Sequence, residues 1–176
     1  MQPLILLSPN NGEMYVFPAK IVPDAYHLDR VQPAKPIEEH VRRIDDAAFC
    51  ALIMCFCQRY FDESLAKSYR SDDSCEPSFD YYLDNVYTYE QMYAMLAEIE
   101  QTADAVLHED REHIPDEMVS CINQYLFGIY TPKVSSEELL VRFKNEIAEY
   151  MRAFCKVIRD LMANAPDCQF FDFQGP

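Results

Sequence analysis

Residues 47–57 form a run of eleven apolar residues that contains no proline, no glycine and no charge. Upstream, Ile37, Val41 and Ile44 recur at the spacing of four and three that is typical of one helix face. A helix that becomes apolar on all sides is surrounded by protein, and eleven residues span about 16 Å, too little to cross a bilayer. The sequence therefore predicts a hub helix over residues 36–61, around which the other elements pack.

The length of the chain favours one domain over residues 1–176. Apolar residues make up 49% of it, so a full hydrophobic core is available and disorder is not expected. The three glycines lie far apart in the sequence. Glycine-rich loops that bind nucleotide phosphates need several glycines close together, and this class of site is excluded.

The predicted fold class is mainly α, a helical bundle with a small N-terminal β-hairpin. Short apolar runs at 4–7 and 14–17 flank a turn-forming loop, which is the pattern of a hairpin. Capping-box pairs at Thr88 with Gln91 and at Ser135 with Glu138 each open a helical pattern. The apolar spacing places four long helices near 36–61, 88–109, 115–128 and 135–164.

These elements divide the single domain into three parts. Prolines keep the chain extended between the hairpin and the hub helix, so residues 1–35 form a hairpin and a connector. Residues 36–164 form the helical bundle. The aromatic tail, residues 165–176, is short and apolar, and a strand there can join the N-terminal hairpin.

Cysteine usage predicts a cytoplasmic protein. The seven cysteines form no Cys-x-x-Cys pair, and three of them fall in the hub helix, where a thiol acts as a small hydrophobe. The odd count and the lack of a secretory leader indicate a reducing compartment. No membrane segment is expected.

The formal charge of −15 is concentrated in one part of the sequence. Residues 1–61 and 118–176 each carry a net charge of −1, whereas residues 62–117 carry −13. Such a concentration steers cationic partners toward one region, although a merely solvated acidic face gives the same composition. The basic residues of the last helix, including Arg152 and Arg159, are interpreted as partners for Glu138 and Glu149 or as solvated charges.

The functional prediction is a non-enzymatic cytosolic interaction or regulatory protein that binds a basic protein partner through its acidic, tyrosine-rich segment 62–117. Such a surface can mimic or inhibit nucleic-acid binding, while direct nucleic-acid binding is disfavoured by the charge. The sequence leaves the partner and the oligomeric state open. The candidate partner-binding residues are Asp72, Asp73, Glu76, Asp80, Tyr81, Tyr82, Asp84 and Tyr87.

The alternative hypothesis is a metal-dependent enzyme or metal-binding protein that uses Glu109, Glu112 and His113. Glu109 and His113 are four residues apart and share a helix face. The pattern differs from the zincin motif, because His108 and His113 are five residues apart. A polar helix end before Pro115 explains the same residues, so no metal, cofactor or catalytic residue is assigned.

Overall fold

The computed structural model describes residues 4–7, 13–24, 29–34, 42–44, 47–70, 76–122 and 134–174. The strands are β1 (Leu4–Leu7), β2 (Glu13–Val22), β3 (Arg30–Pro33), β4 (Arg42–Ile44), β5 (Asp84–Thr88) and β6 (Phe170–Gln174). The helices are α1 (Ala47–Arg59), α2 (Glu63–Tyr69), α3 (Tyr89–Leu107), α4 (Asp116–Cys121), α5 (Ser136–Arg142) and α6 (Lys144–Ala163). A 3-10 turn at Arg111–His113 lies between α3 and α4.

The fold is mixed α+β, so the prediction of a mainly α helical bundle with an appended hairpin is wrong. Six strands form one sheet in the order β4-β1-β2-β6-β5, and β3 pairs with β2 as well. All of these pairs are antiparallel except β1 with β4. The predicted hairpin (β1 with β2) and the C-terminal strand (β6) are present, but as parts of this larger sheet.

The hub helix is shorter than predicted. Helix α1 begins at Ala47, and Arg42–Ile44, which lie inside the predicted helix, form strand β4 beside β1. Residues 51–57 are all buried, with Ile53 and Phe56 completely inaccessible. The apolar run is therefore an interior helix, as its composition indicates.

Helices α3 and α6 pack against each other and against the sheet. Helix α3 begins with the predicted capping box, since the Thr88 hydroxyl accepts from the Gln91 N–H and the Gln91 side chain accepts from the Thr88 N–H. The predicted helix 135–164 is divided at Phe143, whose φ of −111° and ψ of 21° turn the chain between α5 and α6. Of the predicted helix 115–128, α4 is described and residues 123–128 lie outside the described part.

The sheet has two chemically different faces. The side chains of Phe171 and Phe173 on β6 join the main core with α1, α3 and α6. Asp172 between them points to the opposite face, because successive side chains alternate along a strand. Its register partners, Phe17 on β2 and Val86 on β5, are buried on that face outside the main core.

The outer edge of β5 is covered by side chains of α2 and the residue after it. The Val86 N–H donates to the Tyr69 hydroxyl at 3.0 Å, and the Asp84 carbonyl accepts from the Arg70 guanidinium at 2.7 Å. Open strand edges are templates for pairing with another chain. Tyr69 and Arg70 occupy the positions where a further strand would bind.

Among the helices in the described ranges, none combines the length and apolarity needed to cross a membrane.

Candidate functional site

Those of the predicted partner-binding residues that the structure describes differ in exposure and do not form one exposed patch. Asp72 and Asp73 lie outside the described residues. Glu76 and Tyr82 are exposed, and Tyr82 is 60% accessible. Asp80, Tyr81 and Asp84 are half-buried.

Tyr87 lies in the core and contributes nothing to the surface. It is fully buried, and its hydroxyl donates to the Cys57 carbonyl of α1 at 2.8 Å. Its ring meets Phe173 edge-to-face at 5.4 Å between centroids. Tyr87 therefore ties β5 to the hub helix.

Residues 78–85, which we call the braced turn, present Tyr82 and Leu83 to solvent. The buried Asn85 side chain holds this turn from inside. Its Oδ1 accepts from the Asp80 N–H at 3.0 Å, and its Nδ2 donates to the carbonyls of Asp80 and Leu83 at 2.7 and 2.8 Å. The Asp80 carboxylate also accepts from the Tyr82 N–H at 2.8 Å. The Asn85 carboxamide and the Asp80 carboxylate thus fix the backbone of the turn together.

Arg70 braces the turn from α2. Its guanidinium donates to the Ser78 carbonyl at 2.6 Å, to the Asp84 carbonyl at 2.7 Å and to Asn85 Oδ1 at 2.9 Å. The same guanidinium lies 5.0 Å from the centre of the Phe61 ring. Arg70 thus donates to two backbone carbonyls and one side-chain carboxamide, and it has no carboxylate within ion-pair distance among the described residues.

The charge segregation in the sequence is partly cancelled in space. Because α6 packs beside α3, Arg152 pairs with Asp104 and Arg159 makes a two-pronged pair with Glu100 at 2.8 and 3.2 Å. The interpretation of these arginines as partners for Glu138 and Glu149 is wrong. Four bases from outside segment 62–117 pair with its carboxylates: Arg59, Lys144, Arg152 and Arg159.

Part of the negative charge of this segment lines a groove of about 630 Å³, which we call the acidic groove. It runs between the C-terminal half of α3 and the segment that leads into α4. Its lining consists of Arg59, Glu98, Gln101, Thr102, Asp104, Ala105, His108, Asp110, Glu112, His113, Ile114 and Pro115. Four carboxylates and one arginine thus line the groove. Arg59 pairs with Glu98 inside the groove and with Glu117 beside it, and Asp104 is paired with Arg152 of α6.

The end of α3 explains why the groove walls come together. The N–H of Asp110 donates to the Ala105 carbonyl at 2.9 Å, and the N–H of Glu109 donates to the Val106 carbonyl at 3.2 Å. With Glu109 at a φ of 57°, this is a Schellman motif built on a residue other than glycine. The motif reverses the chain, so the 3-10 turn and Pro115 lie opposite the last turns of α3.

The two histidines of the groove are exposed. His113 Nδ1 lies 2.8 Å from the Asp110 carboxylate, and this hydrogen bond raises the pKa of His113 above its ordinary value. His108 Nδ1 lies 2.8 Å from the Asp104 carbonyl of the preceding helical turn. Protonation of His113 therefore reduces the negative charge of the groove.

The residues of the metal hypothesis are not brought together. Glu109 pairs with Lys144 of α6 and does not line the groove, whereas Glu112 and His113 do. Among the described residues, no three His, Cys, Asp or Glu side chains have an arrangement that holds a metal ion.

Asp172 is the residue that sequence reasoning missed. It is fully buried in β6, and neither carboxylate oxygen has a hydrogen-bond partner among the described residues. Burial first, and the nearby Asp84 carboxylate second, raise the pKa of Asp172 well above its ordinary value. A carboxylate inside the aromatic run Phe170, Phe171 and Phe173 is the sequence signal from which it could have been found.

No protein-family model, no curated protein sequence and no solved structure matches this chain, so the geometry alone carries the functional argument.

Proposed function

We propose that this protein is a non-enzymatic cytoplasmic interaction or regulatory protein that binds a basic protein partner through the acidic surface of segment 62–117. The observation that carries the proposal is the acidic groove, whose lining holds the carboxylates of Glu98, Asp104, Asp110 and Glu112 and one guanidinium, that of Arg59. Arg152 of α6 pairs with Asp104, so the carboxylates still outnumber the two arginines. A concave site with an excess of one charge concentrates the potential and attracts groups of the opposite sign.

The dimensions of the groove suit protruding cationic side chains. Its volume of about 630 Å³ lies within the range of pockets that hold small ligands. The exposed Glu112 has no basic partner within ion-pair distance among the described residues, and the only partner of Asp110 there is the titratable His113. Lysine and arginine side chains of a partner supply the missing cations.

The braced turn is a second exposed feature of segment 62–117. Tyr82 and Leu83 are 60% and 46% accessible, and Asn85 and Arg70 hold their backbone in place. Aromatic side chains on a rigid turn contribute contact area with little loss of conformational entropy. The residues predicted from the sequence, from Asp72 to Tyr82, keep their role in this proposal, whereas Asp84 and Tyr87 support the surface from below.

Two finer features belong to the proposal. A surface of carboxylates that competes with phosphates makes the protein a nucleic-acid mimic or inhibitor when its partner is a nucleic-acid-binding protein. The cytoplasmic location is supported by four free thiols among the described residues, of which all but the half-buried Cys121 are buried: Cys55, Cys121, Cys155 and Cys168.

The proposal is tested by affinity capture from the native cell, followed by binding measurements on the captured protein. Neutralising Asp110 and Glu112 together (Asp110→Asn, Glu112→Gln) should weaken binding at least about tenfold at low salt and flatten its salt dependence. The matched control changes two exposed glutamates outside the surface, Glu137→Gln and Glu146→Gln, and should leave the affinity unchanged. Equal affinities for the two double variants would reject the acidic groove as the binding site.

Competition separates the mimic from a general acidic binder. A duplex DNA that binds the captured partner should displace this protein if the two occupy the same basic surface. Simultaneous binding of DNA and protein would exclude the mimic and leave the interaction itself intact.

A further inference from the structure

The Asp172 carboxyl is held in an environment that does not accept its charge. It has no solvent exposure, and neither oxygen accepts a hydrogen bond from a described residue. Its register partners, Phe17 and Val86, are apolar and buried. A buried carboxylate without partners is so unfavourable that the group normally stays neutral.

Several titratable or charged groups surround this carboxyl. Asp84 and Tyr87 act on it from β5, and Tyr69 and Arg70 from α2 and its C-terminus. The negative charge of Asp84 opposes the ionisation of Asp172. The Arg70 guanidinium and the Asn85 backbone N–H favour its ionisation, although neither forms a hydrogen bond to the carboxyl. The pKa of Tyr69 is raised to about 12 by burial, so this phenol stays neutral at physiological pH.

Arg70 connects Asp172 to the braced turn. Its positive charge favours the ionised form of Asp172, but its N–H groups already donate to the carbonyls of Ser78 and Asp84 and to Asn85 Oδ1. An ionised Asp172 must be stabilised by this guanidinium or by water. Either change weakens the hydrogen bonds by which Arg70 holds the turn. The protonated, neutral side chain needs neither of them, so the hydrogen bonds of Arg70 to the turn remain.

We propose that Asp172 is a proton-operated latch for the braced turn: the protonated side chain lets Arg70 hold the turn closed, and its ionisation draws Arg70 or water inward and opens the turn. The carboxyl has a high proton affinity in the closed state and that of an ordinary aspartate in the open state. Opening therefore increases as pH rises from about 4, by up to about tenfold per pH unit, and levels off above the pKa of the closed state. Acidification tightens the turn. Its consequence for partner binding rests on the proposed function.

Amide hydrogen exchange of the free protein tests the latch. Protection factors of the Asp80, Tyr82 and Leu83 amides, corrected for intrinsic exchange, are measured by NMR from pH 4.5 to 8. We expect them to fall with pH in the wild type and to stay constant within about twofold in Asp172→Asn, which is shaped like the neutral acid. Equal slopes in both proteins, or no slope in the wild type, would overturn the latch.

Asp84→Asn is the matched control on the same face of the sheet. Removing this negative charge lowers the proton affinity of Asp172, so the plateau moves to lower pH while the slope below it persists. A slope that vanishes in Asp84→Asn would assign the effect to Asp84 and refute the role of Asp172. Asp172→Asn and Asp84→Asn thus each remove one carboxyl from the same face of the adjacent strands β6 and β5.

The wild type provides a second measurement if Asp172→Asn fails to fold. Burial also raises the pKa of Asp84, so selective 13C labelling of aspartate carboxyls should show a resonance that titrates well above the ordinary aspartate range and that persists in Asp84→Asn. Its absence would overturn the latch. Because both measurements use the free protein, their failure leaves the proposed function standing, and a failed partner-binding experiment leaves the latch standing.

Discussion

Replacing Asn85 with alanine is the most direct test of the inner support of the braced turn. The Asn85 side chain accepts from Arg70 at 2.9 Å and from the Asp80 N–H at 3.0 Å. It donates to the carbonyls of Asp80, Leu83 and Phe173 at 2.7, 2.8 and 3.2 Å. Alanine fills the backbone position but leaves all of these groups without their partner.

The expected loss follows from the number of hydrogen bonds and from their access to water. Each contributes about 1 kcal/mol net, and the two amide hydrogens serve three carbonyls, so about four good bonds are lost. Asp80 and Leu83 can recover water, whereas Phe173 is completely buried. We therefore expect Asn85→Ala to lower the free energy of unfolding by about 2–4 kcal/mol.

Urea denaturation followed by circular dichroism measures this loss. The m-value should stay constant, because the main core is untouched and the surface exposed on unfolding is the same. Asn145→Ala, at an exposed position on α6, is the control and should change the free energy by less than about 0.5 kcal/mol. If the two variants are equally stable, Asn85 does not hold the turn. The hydrogen bond from Arg70 to Asn85 then does not support the turn either.

Three further predictions concern the core, the thiols and the groove. Phe154→Ala should cost about 3–5 kcal/mol in urea denaturation, because the fully buried Phe154 ring packs on Phe173, and a cost below about 1 kcal/mol would contradict the assigned core. Burial raises the pKa of Cys55 and Cys155 to about 12, so both should resist a thiol reagent at pH 8 until the protein unfolds, and fast labelling of the native protein would refute their burial. The raised pKa of His113 should return toward its ordinary value in Asp110→Asn, as followed by NMR titration, and protonation below that pKa should weaken binding of a basic partner. An unchanged pKa in this variant would refute the pairing of His113 with Asp110.

The sequence predicts elements well where the pattern is long. The apolar run of α1 and the capping box of α3 specify a buried helix and a helix start with local information alone. Strand β4 has three residues, Arg42–Ile44, and its partner β1 lies far away in the chain. A pattern this short cannot be told from a helical one, and the spacing that ends at Ile44 favours a helix where the structure has a strand, while Ile37 and Val41 lie outside the described residues.

The candidate site shows the same division between local and distant information. The excess of carboxylates in segment 62–117 can be counted in the sequence, but their pairing with Arg152 and Arg159 depends on how α6 packs beside α3. Asp104 and Arg152 are 48 residues apart. Asp172 sits in an aromatic run that predicts a strand, yet only the neighbouring strands β2 and β5 determine that its carboxyl is buried without partners.

The covering of β5 by Tyr69 and Arg70 has a consequence for self-association. These two side chains form the hydrogen bonds that a strand from another molecule would otherwise form with the edge of β5. If Arg70 leaves when Asp172 loses its proton, the Asp84 carbonyl becomes available to an extended chain of another molecule. Self-association of this protein through the edge of β5 is then expected to increase as the pH rises.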